Sequence, residues 1–165
     1  EKIEEANAAY DSCRCDAYTT DQSSLYGVRL ALANPDDHVI LPEIISKEPF
    51  GLTVRQGDSK WADVVRWTHN ALLNAEEYGI TQANVEEMKK SDNPDIKRLL
   101  GVEADTKIGT DLGLDNDWVV KIVKGVGNYG EIFERNIGTS SPLKIARGLN
   151  AQWNKGGLQY GVPVR

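Results

Sequence analysis

Residues 15–27 read CDAYTTDQSSLYG, and the reading of Asp21 in this stretch decides the fold. CDAYTT has the apolar and β-branched character of a buried strand. Gln22 to Ala33, with Leu25, Val28, Leu30 and Leu32, repeats apolar residues at helical spacing and is closed by Asn34-Pro35. A strand that delivers a carboxylate at its exit and passes at once into a helix puts that carboxylate where α/β sheets hold ligands, outside the carboxyl ends of strands. Aspartate is also a favoured helix N-cap, so the residues alone leave Asp21 as either a cap or a cleft carboxylate.

Upstream, Ile3, Ala6, Ala9 and Tyr10 predict a short amphipathic helix over 2–11. Downstream, HVILPEII (38–45), interrupted by Pro42, and FGLTVR (50–55) read as strands, and the turn QGD leads into a helix capped by Asp58 or Ser59. Trp61, Val64, Val65, Thr68, Leu72 and Ala75 form one apolar stripe and predict a helix reaching Tyr78. After Gly79 the strand signals stop, and short helices are expected over 82–90, 94–100, 115–125, 128–136 and 142–153. Trp61, Trp118 and Trp153 fall on apolar helical positions and are expected in the core; Trp67 lies off the main stripe.

The chain has 165 residues, 40% hydrophobic and 27% charged, enough for one core or two small ones. A net charge of -6 with no block of lysine or arginine argues against a nucleic-acid or anionic-membrane partner. No apolar run approaches the roughly 18 residues of a membrane span, and EKIEEANAAY is a charged amphipathic segment rather than a signal peptide. The two cysteines, Cys13 and Cys15, are too few for a disulfide scaffold or a zinc site, and a bond between residues two apart is awkward. Each sulfur is expected to stay free or to pair farther away.

Motifs for chemistry are weak. GVGNYG (125–130) matches G-x-G-x-x-G, yet WVVKIVK before it is helix-periodic rather than a strand, so the expected role is a helix end and turn. DTKIGTDLGLDND (105–117) clusters acids without the frame of a calcium loop and reads as a solvated loop ending in a cap at Asn116 or Asp117. His38 sits in a turn and His69 on a helix, neither beside a nucleophile, so no enzyme, metal or cofactor is expected.

The phrases CRCDAYTTDQSSLY, LPEIISKEPFGLTVRQGDSKW, WTHNALLNAEEYGITQANVEEM, NPDIKRLLGVE, GLDNDWVVKIVKGVGNYGEIFERNIG and SPLKIARGLNAQWNKGGLQYGVP together resemble the periplasmic general L-amino-acid binding proteins of bacterial ABC importers (solute-binding protein family 3). The resemblance covers essentially the whole chain. It implies an α/β fold, part of a type II clamshell with a helical C-terminal extension, located in the periplasm and handing L-amino acids to permease subunits of an ABC transporter. Residues 1–48 would be the remainder of a second lobe, 49–78 the return crossover with a first-lobe strand and helix, and 79–165 the extension. Asp21 would hold the ligand's α-ammonium through charge-assisted bonds of about 1.5–3 kcal/mol, with Thr20 and Tyr18 beside it.

The same resemblance implies an absent N-terminal part that carries an arginine for the ligand's carboxylate; its loss would weaken binding by about 4 kcal/mol, roughly a thousandfold. Cys15 matches a family cysteine whose disulfide partner lies in that part, and Cys13 stands where the family usually has glycine, so a disulfide to another chain or to the missing piece is expected. Open sheet edges would invite a homodimer or capture of the missing N-terminal fragment. The expected function is amino-acid binding for an ABC transporter; the alternative is a truncated, self-associating, domain-swapped structural or interaction protein.

Overall fold

The computed structural model describes residues 2–103 and 105–164. The outermost residues of the expected divisions, Glu1 and Arg165, lie outside the described residues, as does Ala104. Eight α-helices are present among the described residues: α1 (Ile3–Asp11), α2 (Gln22–Ala31), α3 (Ser59–Glu77), α4 (Val85–Met88), α5 (Pro94–Leu99), α6 (Ile108–Asp111), α7 (Trp118–Val126) and α8 (Tyr129–Asn136). Three 3-10 turns, Pro35–Asp37, Gly148–Asn150 and Trp153–Lys155, complete the regular structure.

The α/β expectation is corrected in one respect: among the described residues there is no strand, and the one sheet-like contact is an isolated bridge between Gln152 and Gln159. The segments read as strands, 15–20, 38–45 and 50–55, run without a ladder. Among the described residues, no amide or carbonyl of 39–54 joins a backbone–backbone hydrogen bond. The reason is physical. A strand exists through its neighbour's N–H and C=O groups, and this chain brings none alongside. Val39, Ile45 and Phe50 are therefore 80%, 83% and 78% exposed despite their strand-like character.

The packed core lies in residues 71–164. The apolar stripe of α3 meets α5, α7 and α8, and α4 packs on α7. Ala71, Ala75, Ile80, Val85, Leu100, Val119 and Val123 are buried together, and Ile96, Leu99, Trp118, Val120 and Val164 close the cluster. Buried amides fix the last segment to α3: Asn74 Nδ2 donates to the Val162 carbonyl at 2.8 Å, the Val162 N–H donates to Asn70 Oδ1 at 2.7 Å, and Gln152 Nε2 donates to the Leu73 carbonyl at 3.1 Å. That last bond pulls 148–155 into 3-10 turns around Gly148 and Gly156, both at positive φ, which is why the helix expected over 142–153 does not form.

Two tryptophan expectations are also corrected. Trp118 is buried, but Trp61 and Trp153 are 54% and 50% exposed. Trp61 occupies the first turn of α3, before that helix reaches the core, and Trp153 sits in a 3-10 turn, donating from Nε1 to Glu77 at 3.2 Å. Trp67 packs against the core cluster.

GVGNYG proves to be a helix end followed by a helix start. Gly127 closes α7 at φ +82°, where a Cβ would come within 2.8 Å of Glu131. Asn128 then opens α8 with a capping box: its side chain accepts from the Glu131 N–H at 2.9 Å, and Glu131 accepts from the Asn128 N–H at 2.8 Å. The helix α7, not a strand, runs into Gly127.

Residues 2–38 form a smaller packed unit. Tyr10 on α1 hydrogen-bonds His38 Nδ1 at 2.9 Å, and the Ala33 N–H donates to Asp11 at 3.4 Å, tying α1 to the end of α2. Leu32 is buried beneath them. A hollow of about 120 Å³ between the helices is lined by Asn7, Ala8, Asp11, Val28, Ala31 and Leu32.

Candidate functional site

The turn at 12–16 reverses the chain after α1 and aims it toward α2. Cys13 adopts φ +58°, the left-handed region in which a glycine sits without strain. The disulfide expectation is overturned: Cys13 and Cys15 are both free and exposed. They are the two cysteines of the sequence, and their spacing of two residues is too short for them to bond comfortably to each other.

Beyond the turn, Tyr18 is half-buried with its ring edge-on to Tyr10, centroids 5.8 Å apart, and Tyr10 is in turn held by His38. Thr19 and Thr20 are exposed, and Asp21 is exposed at the N-cap position of α2 with φ -53° and ψ 139°. The backbone carbonyl of Asp21 accepts from the Leu25 N–H at 2.9 Å and so begins the helix. Its carboxylate makes no capping hydrogen bond. Of the two roles open to Asp21 in the sequence, it has the position of a cap without the side-chain bond that a cap makes. Tyr18, Thr20 and Asp21 lie on the approach to α2 as their order in the sequence places them, with Tyr18 packed on Tyr10, while the hollow between α1 and α2 is lined by other residues.

Asp21 has no ion-pair partner among the described residues, and Arg29, the basic residue in the last turn of α2, stands over the Tyr26 ring at 5.8 Å instead. A carboxylate held at a helix start, exposed and unpaired, can accept two or three hydrogen bonds from an ammonium group.

A second charged cluster, with no signature in the sequence, lies on the helical part. Arg147 pairs with Glu76 at 3.1 Å, both mostly buried, and its guanidinium stands over Tyr129 at 5.3 Å and Phe133 at 4.9 Å. His69 meets the Tyr129 ring edge-on at 5.7 Å. Burial lowers the pKa of His69 and raises that of Tyr129. His69 is thus packed against an aromatic ring rather than set on an open helix face. Glu76, the carboxylate partner of Arg147, lies 71 residues away along the chain, a distance over which sequence periodicity carries no information. Another hollow, of about 360 Å³, is lined by Arg98, Glu103, Asp105, Thr106, Lys107 and Ile108 and is remote in sequence from Asp21.

No protein-family model matches the chain. It is 73% identical, over all of its 165 residues, to the general L-amino acid-binding periplasmic protein AapJ of Rhizobium johnstonii, of which it covers 48%. It is 57% identical over 152 residues to the glutamate/glutamine/aspartate/asparagine-binding protein BztA of Rhodobacter capsulatus, covering 92% of this chain and 44% of that one. A solved Brucella ovis ABC transporter/periplasmic binding protein with glutathione bound is 94% identical with a TM-score of 0.94, covering the whole of this chain and 51% of the other. The chain spans about half the length of the relatives it matches. These comparisons lend no support to the expected homodimer. Among the described residues no helix is long and apolar enough to cross a membrane.

Proposed function

We propose that this chain, homologous along its full length to about half of the periplasmic amino-acid-binding proteins of ABC transporters, forms one part of such a protein: it binds an L-amino acid or a close derivative and works as a binding component rather than an enzyme. In this reading residues 1–48 belong to one lobe of a clamshell, 49–78 cross back to the other lobe, and 79–165 wrap that lobe as helices. The ladder-free segments 15–20, 38–45 and 50–55 join sheets completed by polypeptide outside this chain. The ligand lies between the lobes, the complex is delivered to permease subunits, and the location is the periplasm.

The observation that carries the reading is the superposition of the whole chain on a ligand-bound periplasmic binding protein at 94% identity, which includes its ladder-free stretches. Asp21 gives the reading a chemical centre. Its unpaired carboxylate, next to the start of α2, is able to hold an α-ammonium, and Thr20 and Tyr18 precede it. The Brucella ovis relative carries glutathione, which places that peptide among the ligands to be tried.

The test is isothermal calorimetry with a panel of L-amino acids, run on a full-length protein in which this chain is joined to the complementary half of the Brucella ovis relative. Saturable binding that falls by about a hundredfold in Asp21→Ala supports the proposal. Absence of binding across the panel overturns it, and unchanged affinity in the variant removes Asp21 from the site.

A further inference from the structure

Resting on the reading of this chain as one part of a longer binding protein, and not on its ligand site, we infer that residues 149–162 are the seat on which the other part of that protein docks. The segment is built inside out. Its polar side chains reach α3: Gln152, with no exposed surface, donates to the Leu73 carbonyl at 3.1 Å, and Arg147 just before it pairs with Glu76 at 3.1 Å. The backbone is tied down as well. Val162 accepts from Asn74 at 2.8 Å and donates to Asn70 at 2.7 Å, and a Cβ on Gly161 would meet that of Leu73 at 3.0 Å. With α3 taking the polar groups, the large apolar side chains are left on the other side. Leu149, Trp153, Leu158, Tyr160 and Val162 are all exposed by half or more, Leu158 by 73%.

The segment also folds back on itself. The Leu158 N–H donates to the Leu149 carbonyl at 2.8 Å, the Trp153 N–H donates to the Gln159 carbonyl at 2.9 Å, and the Trp153 and Tyr160 rings lie 5.8 Å apart, so residues from both ends of the segment share one patch. Apolar residues exposed singly are ordinary; five gathered on one tethered segment mark a contact. Lys155 is the one charged residue from 148 to 163. Surfaces that meet a partner in passing stay largely polar, whereas surfaces covered permanently resemble a core cut in two. This patch is of the second kind, which favours a permanent neighbour over a permease subunit met once per delivery. Length supplies that neighbour: the chain covers 48% of the Rhizobium johnstonii relative and 51% of the solved Brucella ovis protein, so in each a body about as large as this chain lies outside the matched half. A second copy would instead bring another net charge of -6 to the contact.

Hydroxyl-radical labelling read by mass spectrometry compares this chain alone with the full-length protein described above, and amide exchange over 39–54 is followed in the same two samples. Labelling of Trp153, Leu158 and Tyr160 is expected to fall by roughly tenfold in the full-length protein, the change from an exposed to a covered side chain. Leu158→Ser should lower the melting midpoint of the full-length protein by about 4 °C and that of the chain alone by less than about 1 °C. Labelling that persists over 149–162 while 39–54 gains protection overturns the inference and leaves the proposed function standing, as does an equal effect of Leu158→Ser in the two proteins. Labelling lost in the chain alone as its concentration rises overturns it in favour of a second copy, and labelling lost in the full-length protein only when permease subunits are added overturns it in favour of the transporter. Protection at neither segment removes the underlying reading, and the inference with it.

Discussion

Replacing Asn128 by alanine is the most informative single change to the helical part. Asn128 is buried and does two jobs. Its Oδ1 accepts from the Glu131 N–H at 2.9 Å as the cap of α8, and its Nδ2 donates to the Ile80 carbonyl at 2.8 Å in the core. Loss of the cap costs about 1 kcal/mol. The orphaned Ile80 carbonyl, on a residue with no exposed surface, adds about 1–3 kcal/mol because no water replaces the lost donor. The sum is about 3 kcal/mol, which in a chain of this size lowers the melting midpoint by about 6–12 °C. Urea and thermal unfolding followed by circular dichroism measure it. Asn128→Asp keeps the acceptor for Glu131 and loses the donor to Ile80, so it should fall between alanine and the native chain. A shift below about 0.5 kcal/mol for Asn128→Ala would refute the argument, since surface changes alone reach that size.

Three other outcomes follow from the geometry. Arg147→Met strands Glu76 beside Tyr129 and should destabilise by about 2–3 kcal/mol, somewhat less than a fully buried pair; adding Glu76→Gln should recover part of the loss in the same unfolding assay. His69 has its folded-state pKa lowered by burial beneath the unfolded value of 6.5, so its contribution to stability is complete above that value and is lost as the pH falls through the lowered pKa. Melting midpoints recorded between pH 8 and pH 5 should therefore drop more in the native chain than in His69→Phe. Asp58→Ala should cost about 1 kcal/mol, because Asp58 accepts from the Trp61 N–H at 3.0 Å, whereas Asp21→Ala should leave the unfolding midpoint nearly unchanged while weakening ligand binding by about a hundredfold.

The helices that face a core were legible because their periodicity reports packing within this chain. The stripe from Trp61 to Ala75 became α3, Ser59–Glu77, with the expected Asp58 cap, and 94–100 and 128–136 became α5 and α8 within a residue or two. Turn chemistry was legible as well: the glycine at 127 and asparagine at 128 separate two helices as their backbone preferences require. Strands were not, since the β-branched character of HVILPEII and the alternation in FGLTVR describe a propensity and a face and say nothing of who supplies the ladder. The 3-10 turns after Arg147 were missed because the Gln152 bond to Leu73 acts across 79 residues and overrides local propensity. At the site, residue types and order were readable from Tyr18 to Asp21, but whether the carboxylate was engaged required coordinates.

That engagement is what separates a structural aspartate from a binding one. Among the described residues, three of the five other α-helices with an aspartate or asparagine at the N-cap use that side chain as the cap, and the other two engage it elsewhere. Asp58, Asn93 and Asn128 accept from backbone N–H groups of their own helices, Asn84 bonds the Thr81 N–H and the Gly79 carbonyl, and Asp117 pairs with Lys121. Asp21, like Asn84 and Asp117, makes no cap bond, but unlike theirs its side chain has no other partner among the described residues, and α2 is left short of the roughly 1 kcal/mol that a cap supplies. A carboxylate already satisfied by its own helix would have to break that bond before gripping an ammonium, and the break would subtract from affinity. An uncapped start removes that competition. The small stability forgone at α2 and the chemistry proposed for Asp21 are then one feature, which is why stability and binding should separate so cleanly at position 21 and not at position 58.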